Sequence, residues 1–272
     1  MCVRWEVRVS KTGRGGGRAA DATRTMRLLW REPGAERSGR GPKQGLSVDE
    51  VVSSAVALAD ADGIEAVTMR RVAERLGVTP MSLYTYVPGK AELLTLMLDW
   101  AYLRMPRTDP GPGAPWRERV TAVADDNRAL FLRHPWIAEQ ATVRPVLGPG
   151  VLGKYEHELR AFEGTGLGDV ETDCALSHLL GFVESVARGS LQSRSIPRDT
   201  GQSDDEWWAA HAPLLEEVLD PERFPLASRV GSAAAHAYRG VYSAEHAYAF
   251  GLRCVLDGFA ALVETGPEPA LP

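Results

Sequence analysis

Residues 68–90 read TMRRVAERLGVTPMSLYTYVPGK, and their spacing fixes the fold of the N-terminal third. Thr68 is placed to cap a helix in which Met69, Val72, Ala73 and Leu76 recur at helical spacing, leaving Arg70, Arg71, Glu74 and Arg75 toward solvent. Gly77 ends that helix. Thr79 caps the next one, with Pro80 at its first position, where a missing N–H costs nothing and the fixed φ already suits a helix. A connection as short as Gly77-Val78 makes the two helices cross steeply and turns the second outward, which is helix-turn-helix geometry.

The flanks complete a small helical unit. Ser47-Val48-Asp49-Glu50 is a capping box opening a helix whose stripe runs Val48, Val51, Val52, Ala55, Leu58, Ala59 and which closes at Asp62-Gly63. Pro88-Gly89 breaks the chain after the second helix of the turn. Lys90 then starts a fourth helix with Leu93, Leu94, Met97, Leu98 and Ala101 on its buried side.

Taken together, Gly63, Thr68-Met69-Arg70, Val72-Ala73, Leu76-Gly77-Val78, Leu83-Tyr84, Tyr86-Val87, Lys90 and Leu93-Leu94 resemble the DNA-binding domain of TetR-family transcriptional regulators. The resemblance implies that Tyr84 and Lys90 touch phosphates and that Thr68 and Arg70 approach DNA from the preceding helix. It further implies that Thr79, Met81, Ser82, Thr85 and Tyr86 face the groove. Thr79, Met81 and Ser82 offer hydroxyl and methyl contacts without a bidentate Arg, Asn or Gln, so the operator sequence stays unread.

Charge is distributed unevenly. Residues 1–44 hold eleven Lys or Arg against four Asp or Glu, a formal +7, whereas residues 45–104 hold five against eight, a formal −3. The first segment is rich in Gly and Arg and lacks apolar periodicity, so it is expected to be a disordered basic arm, with Arg37, Arg40 and Lys43 best placed to reach a minor groove. Met26-Arg27-Leu28-Leu29-Trp30 reads like a natural start, so residues 1–25 are expected to lie outside the native protein.

A linker at 105–115 carries four prolines and two glycines, which no helix tolerates. Beyond it, helical spacing returns at 116–134 and again near 149–163, 169–194, 203–219, 222–238 and 243–264, with Ser195 to Gln202 read as a loop. No stretch alternates as a strand. The expected whole is all-α, with nine or ten helices. It comprises a three-helix helix-turn-helix DNA-binding domain at 45–104 and a helical ligand-binding and dimerisation domain at 116–265.

Two body helices are unusually apolar. One carries Leu176, Leu179, Leu180, Val183, Val186, Ala187 and Leu191; the other carries Tyr248, Leu252, Val255, Leu256, Phe259, Leu262 and Val263. Such helices can pair with their copies in a four-helix interface, and a homodimer suits a head that reads half of a palindrome. From Trp116, through Arg133-His134 and Arg144-Pro145, the body resembles the C-terminal domain of the tetracycline repressor, which implies a small-molecule inducer. The positions matching that repressor's metal-drug contacts hold Pro106, Val123 and Ala141, none of which binds a metal, so tetracycline-magnesium is not the expected ligand. Trp136, Tyr155, His178 and Phe182, with Trp207 and Trp208, are the candidate ligand-contacting aromatics.

Other classes find little support. Gly148, Gly150 and Gly153 form GxGxxG with Asp173 twenty residues on, but neither the preceding strand nor the parallel sheet that such a phosphate loop needs is present. Three scattered cysteines and six histidines without HxxxH or HExxH spacing offer no metal set, and no GxSxG turn appears. No catalytic residue, metal or cofactor is therefore expected. No apolar run is read as spanning a bilayer, and the reading is of a cytoplasmic regulator with double-stranded DNA, an unidentified inducer and its own copy as partners. Repressor, activator and ligand-independent regulator are not separated by sequence. A helical small-molecule-binding protein or enzyme is the alternative class.

Overall fold

The computed structural model describes residues 16–31, 45–111, 113–139, 146–238 and 242–265. Within these, twelve α-helices and one 3-10 turn form, and no strand.

The first helix, α1 (Gly16–Leu29), falls inside the segment expected to lack structure. Its C-terminal turn supplies what that expectation missed: Leu29 is buried and Leu28 packs on the same core. Trp30 Nε1 then donates to the Leu147 carbonyl at 2.9 Å, and Arg31 pairs with Asp49. Each of these anchors follows Met26. Arg37, Arg40 and Lys43 lie outside the described residues.

In the head, α2 (Val48–Asp62) opens on the Ser47/Glu50 capping box, with both reciprocal bonds made, and its stripe is buried as its spacing requires. A 3-10 turn at Ile64–Ala66 leads to α3 (Met69–Leu76), capped by the Thr68 hydroxyl. Gly77 adopts φ 68°, ψ 27°, the left-handed conformation that closes α3 at no Cβ cost. Next comes α4 (Pro80–Leu83), capped by Thr79. This second helix stops at Leu83 instead of running to Pro88. Past Leu83 the bonds tighten, Thr85 N–H to the Ser82 carbonyl and Tyr86 N–H to that of Leu83, which also accepts the Val87 N–H, and Pro88 then turns the chain out of helical geometry. α5 (Lys90–Leu103) completes the head.

In the body, α6 (Trp116–Arg133) and a short α7 (Pro135–Glu139) precede α8 (Pro149–Arg160). The long α9 (Asp169–Thr200) runs through the stretch expected as a loop from Ser195. Then come α10 (Asp204–Val218), opened by the Ser203/Glu206 capping box, α11 (Pro225–Tyr238) and α12 (Ala244–Thr265). α9 packs on α6 and α12, while α5 packs on α2 and α8, so one continuous hydrophobic core runs from head to body. Arg144, Pro145 and Ala141 lie outside the described residues.

Against the sequence expectation, α12 from Ala244 to Glu264 is long and apolar enough, by length and composition, to cross a membrane. In the fold its apolar stripe is met by α9, α6 and the turn after α8: Phe259 lies edge-on to Phe162 of that turn, and Tyr248 stacks on Phe182 of α9.

The GxGxxG run proves to be a packing seam. A Cβ at Gly150 would lie 2.0 Å from the Asp99 backbone oxygen and one at Gly148 2.1 Å from the Asp99 carboxylate, so α8 meets α5 nearly backbone to backbone. The buried Asp99 carboxylate accepts the Val151 N–H at 3.0 Å and so caps α8 from the neighbouring helix. Burial pushes its pKa up, while the Val151 and Gly150 N–H groups hold it back. Asp173, the other half of the apparent nucleotide motif, accepts the Tyr155 hydroxyl at 2.7 Å. Gly150→Ala is expected to cost about 1–3 kcal/mol in urea unfolding. Gly153→Ala, whose Cβ would meet only the Arg107 guanidinium at 3.4 Å, should stay within about 1 kcal/mol of wild type.

Candidate nucleic-acid interface

The outward surface of the helix-turn-helix is built by its caps. Thr79 Oγ1 accepts the Ser82 N–H at 3.2 Å and lies 2.9 Å from Ser82 Oγ, which sets the first turn of α4 against α3. Leu83 and Val87 are completely buried beneath it, so the residues between and before them must face out. Met81 is 76% exposed, and Ser82, Tyr84 and Thr85 are exposed beside it. Thr85 Oγ1 donates to the Ser82 carbonyl at 2.6 Å, which orients its methyl and lone pairs. Thr68 is exposed with its hydroxyl accepting the Arg71 N–H. Tyr86 differs from the others: it is half-buried and packs on the core, so only part of its ring lies outward.

Electrostatics within the head explain how a formally acidic domain can offer cations. Arg70 Nε pairs with Glu74 at 2.8 Å, Arg71 with Asp62 at 2.6 Å, and Lys90 with Glu65 at 3.9 Å. All are solvent-exposed pairs, worth little in water, and readily exchanged for phosphate. Lys90 is the most informative. It is the first residue of α5, where the helix dipole disfavours a cation, and Gly89 before it provides no side-chain cap. A positive side chain beside uncapped N–H groups is locally unfavourable and well suited to an anion.

The candidate ligand aromatics do not converge. Trp136 is 1% exposed and closed in the core, where Nε1 donates to Asp60 at 2.8 Å; His134 Nδ1 lies 2.7 Å from the same carboxylate oxygen. Asp60 belongs to α2, so these bonds join head and body. Phe182 is wedged against Gly251, where a Cβ would meet its ring at 2.2 Å, and serves the seam between α9 and α12. His178 is exposed on α9 and touches Phe259 edge-on. Tyr155 stands on the rim of a 390 Å³ groove at the end of α8, its hydroxyl pushed up to about 12 by its bond to Asp173. Trp207 alone among the sequence candidates faces a large cavity, about 710 Å³ between the end of α9 and α10, and stacks on His211 at 4.1 Å.

Sequence reasoning missed a smaller pocket beside the C-terminal half of α5. It measures about 130 Å³ and is bordered by Leu98, Tyr102, Phe131, Ile137 and Leu180, with Asn127, Lys154 and Glu184 as polar members. Buried polar residues on otherwise apolar helix faces, Asn127 of α6 and Lys154 and Glu158 of α8, were its only sequence trace. Lys154 is bonded to Glu158 at 2.7 Å; burial pulls the Lys154 pKa down and Glu158 pulls it back. Burial also pushes the Tyr102 phenol up, so it stays neutral.

A capped two-helix reading head, fused through a shared helix to a cavity-bearing helical body, defines a DNA-binding regulator. Residues 51–97 match the family of bacterial regulatory proteins described as tetR family, and residues 109–263 match the tetracyclin repressor-like C-terminal domain. The chain belongs to the TetR family of transcriptional regulators, and it is not an enzyme. It is 40% identical over 267 residues, 94% of each chain, to the HTH-type transcriptional repressor DrrR1 of Streptomyces coeruleorubidus. To the class E tetracycline repressor of Escherichia coli it is 24% identical over 225 residues, 80% of this chain and 93% of that one. Its fold is similar to the crystal structure of the Streptomyces coelicolor TetR family protein ActR in complex with actinorhodin. The TM-score is 0.64 at 27% identity, covering 80% of this chain and 98% of that chain.

Two variants probe these assignments. Lys90→Ala is expected to weaken binding to every DNA sequence and to reduce the slope of log affinity against log salt by about one. An unchanged slope in anisotropy titrations would remove the phosphate role. Trp136→Phe, which deletes one bond to Asp60 and leaves a small void in the core, should cost about 2–4 kcal/mol in thermal unfolding.

Proposed function

We propose that the protein is a homodimeric repressor that binds a palindromic operator and is released from it by a small molecule. The observation that carries this reading is the position of α5. One helix carries Lys90 in its first turn, at the end proposed to face DNA, and Leu98 and Tyr102 in the wall of the pocket beside its other end. A ligand that favours a different seating of α5 changes the separation of two heads, and weakens operator binding by its preference between the two states. The relatives support this: DrrR1 is named a repressor, and ActR has been crystallised with actinorhodin. The contacts proposed for DNA are Thr68, Arg70, Thr79, Met81, Ser82, Tyr84, Thr85, the outer part of Tyr86, and Lys90. Action on DNA places the protein in the cytoplasm.

Dimerisation is assigned to α9 and α12, by faces other than the stripes read from sequence. Those stripes are largely turned inward, with Leu176, Leu179, Val183, Leu252 and Leu256 buried within the chain. Outward on α9 lie Cys174, Ser177, Gly181 and Ser185, and on α12 Phe250, Cys254 and Gly258. Small residues on both helices let two copies approach closely around a two-fold axis, with Phe250, 64% exposed, as the large apolar contact.

The decisive experiment is anisotropy binding to DNA flanking the protein's own gene against scrambled DNA across a salt series, with sedimentation to give the oligomeric state. Tight, salt-sensitive and selective binding by a dimer is expected. A folded dimer that binds no DNA at low salt would overturn the reading. Phe250→Asp should shift the sedimenting species toward monomer and weaken operator binding at least tenfold, since half-sites about 34 Å apart need both heads.

A further inference from the structure

Another pocket lies where the C-terminal end of α5 meets the last two turns of α6. It measures about 160 Å³, and Trp100, Ala101, Met105 and Leu130 contribute an apolar lining. Trp100 and Arg104 stand two residues along from Leu98 and Tyr102, roughly half a turn round α5. This pocket therefore shares no lining residue with the one beside Leu98 and Tyr102.

Its charges are not balanced. Arg104 and Arg133 both line it. The Arg104 guanidinium lies 4.3 Å from the centre of the Trp100 ring, and neither arginine has an ion pair or a hydrogen bond among the described residues. They stand at the C-terminal ends of α5 and α6, where the helix dipole favours a cation. That accounts for a basic residue at each end, but not for two of them round one pocket without an acid to meet. The one carboxylate in the lining, Asp126, is engaged by Thr108, whose N–H it accepts at 2.6 Å through one oxygen and whose hydroxyl it accepts at 2.8 Å through the other. His134, also in the lining, faces Asp60 at 2.7 Å. With His134 counted neutral, two guanidinia against one carboxylate leave the lining at a formal +1.

Three constraints narrow what fits. A monoanion brings the local charge to zero, whereas a dianion leaves an excess negative charge beside Asp126. A planar carboxylate matches the guanidinium fork, which offers it two parallel N–H donors. The apolar lining asks for an apolar body, and about 160 Å³ is close to the volume of roughly 150 Å³ known to admit benzene.

We propose that this pocket binds a one-ring monocarboxylate, its carboxylate held by Arg104 and Arg133 and its ring set against Trp100, Met105 and Leu130. The guest bridges α5 and α6 beside the His134–Asp60 joint. The site is separate from the pocket that carries the inducer reading and does not depend on it.

The test uses the full chain in ligand-observed NMR titrations at low ionic strength with benzoate, benzamide, benzylamine and acetate. Benzoate should bind with a Kd on the order of 1 mM or tighter. Benzamide, its uncharged isostere, and acetate, which lacks the ring, should bind about tenfold more weakly, and benzylamine should show no binding. Arg104→Gln and Arg133→Gln should each weaken benzoate binding about tenfold and leave benzamide unchanged. Both side chains are exposed, so the variants keep the fold, and circular dichroism checks this. Equal affinity for benzoate and benzamide, or for benzoate and acetate, overturns the proposal. So does absence of benzoate binding, or a benzoate affinity that neither arginine variant changes.

Discussion

The close approach of α8 to the backbone of α5 at Asp99 is the constraint on which the rest of the molecule depends. Without a Cβ at Gly148 and Gly150, the two helices meet at a distance that ordinary side chains forbid, and the Asp99 carboxylate caps α8 from the side. α5 thus belongs to two cores at once. Its first half is packed on α2 within the head, and its second half forms a wall of the body. Fourteen residues span about 20 Å, short enough for displacement of one end to be felt at the other as rigid motion rather than bending. The Asp60 joint to His134 and Trp136 closes a second link between the same two units. Head and body are therefore tied at two points, and their relative position has few ways to change.

Within the head, electrostatics is arranged locally and not by net charge. Arg70, Arg71 and Lys90 each face a carboxylate across an exposed gap, which keeps the free protein close to neutral there and leaves the cations exchangeable. The cost of leaving cations idle is small in water, whereas a phosphate offers each of them a stronger, charge-assisted partner. Lys90 sits at a helix N-terminus, where the dipole disfavours a cation, and Glu65 is the carboxylate nearest to it.

In the body the same economy appears in reverse. Lys154, Glu158 and Asn127 are removed from water, so their charges had to be balanced inside the fold, and the Lys154–Glu158 pair does so. Burying that cluster costs stability that a well-packed apolar core would not, which is a common mark of a site kept for recognition. On the outer faces of α9 and α12 the pattern is one of small residues, not large ones. The apolarity of α12 serves helix packing within the chain, where Tyr248, Leu252, Leu256 and Phe259 are buried.

The sequence by itself determined most of what depends on neighbours within one or two turns, though not the early stop of α4 or the run of α9 to Thr200. Thr68, Ser47, Thr79 and Ser203 cap the helices they precede, Gly77 makes the left-handed stop, and the apolar spacing of α2, α3 and α9 names their buried faces, because caps and periodicity are local. Tertiary structure decided the remainder, since contacts between distant segments leave no local trace. Leu28 and Leu29 order a helix in a segment whose composition alone suggested none, because they find a core contributed by residues far along the chain. Trp136 and Phe182 looked like ligand contacts and became a joint and a wedge, once Asp60 and Gly251 were brought to them. Gly148 and Gly150 looked like a phosphate loop and became a helix crossing. The pocket beside α5 draws its lining from α5, α6, α7, α8 and α9, so only their packing could bring Asn127, Lys154 and Glu184 to one place.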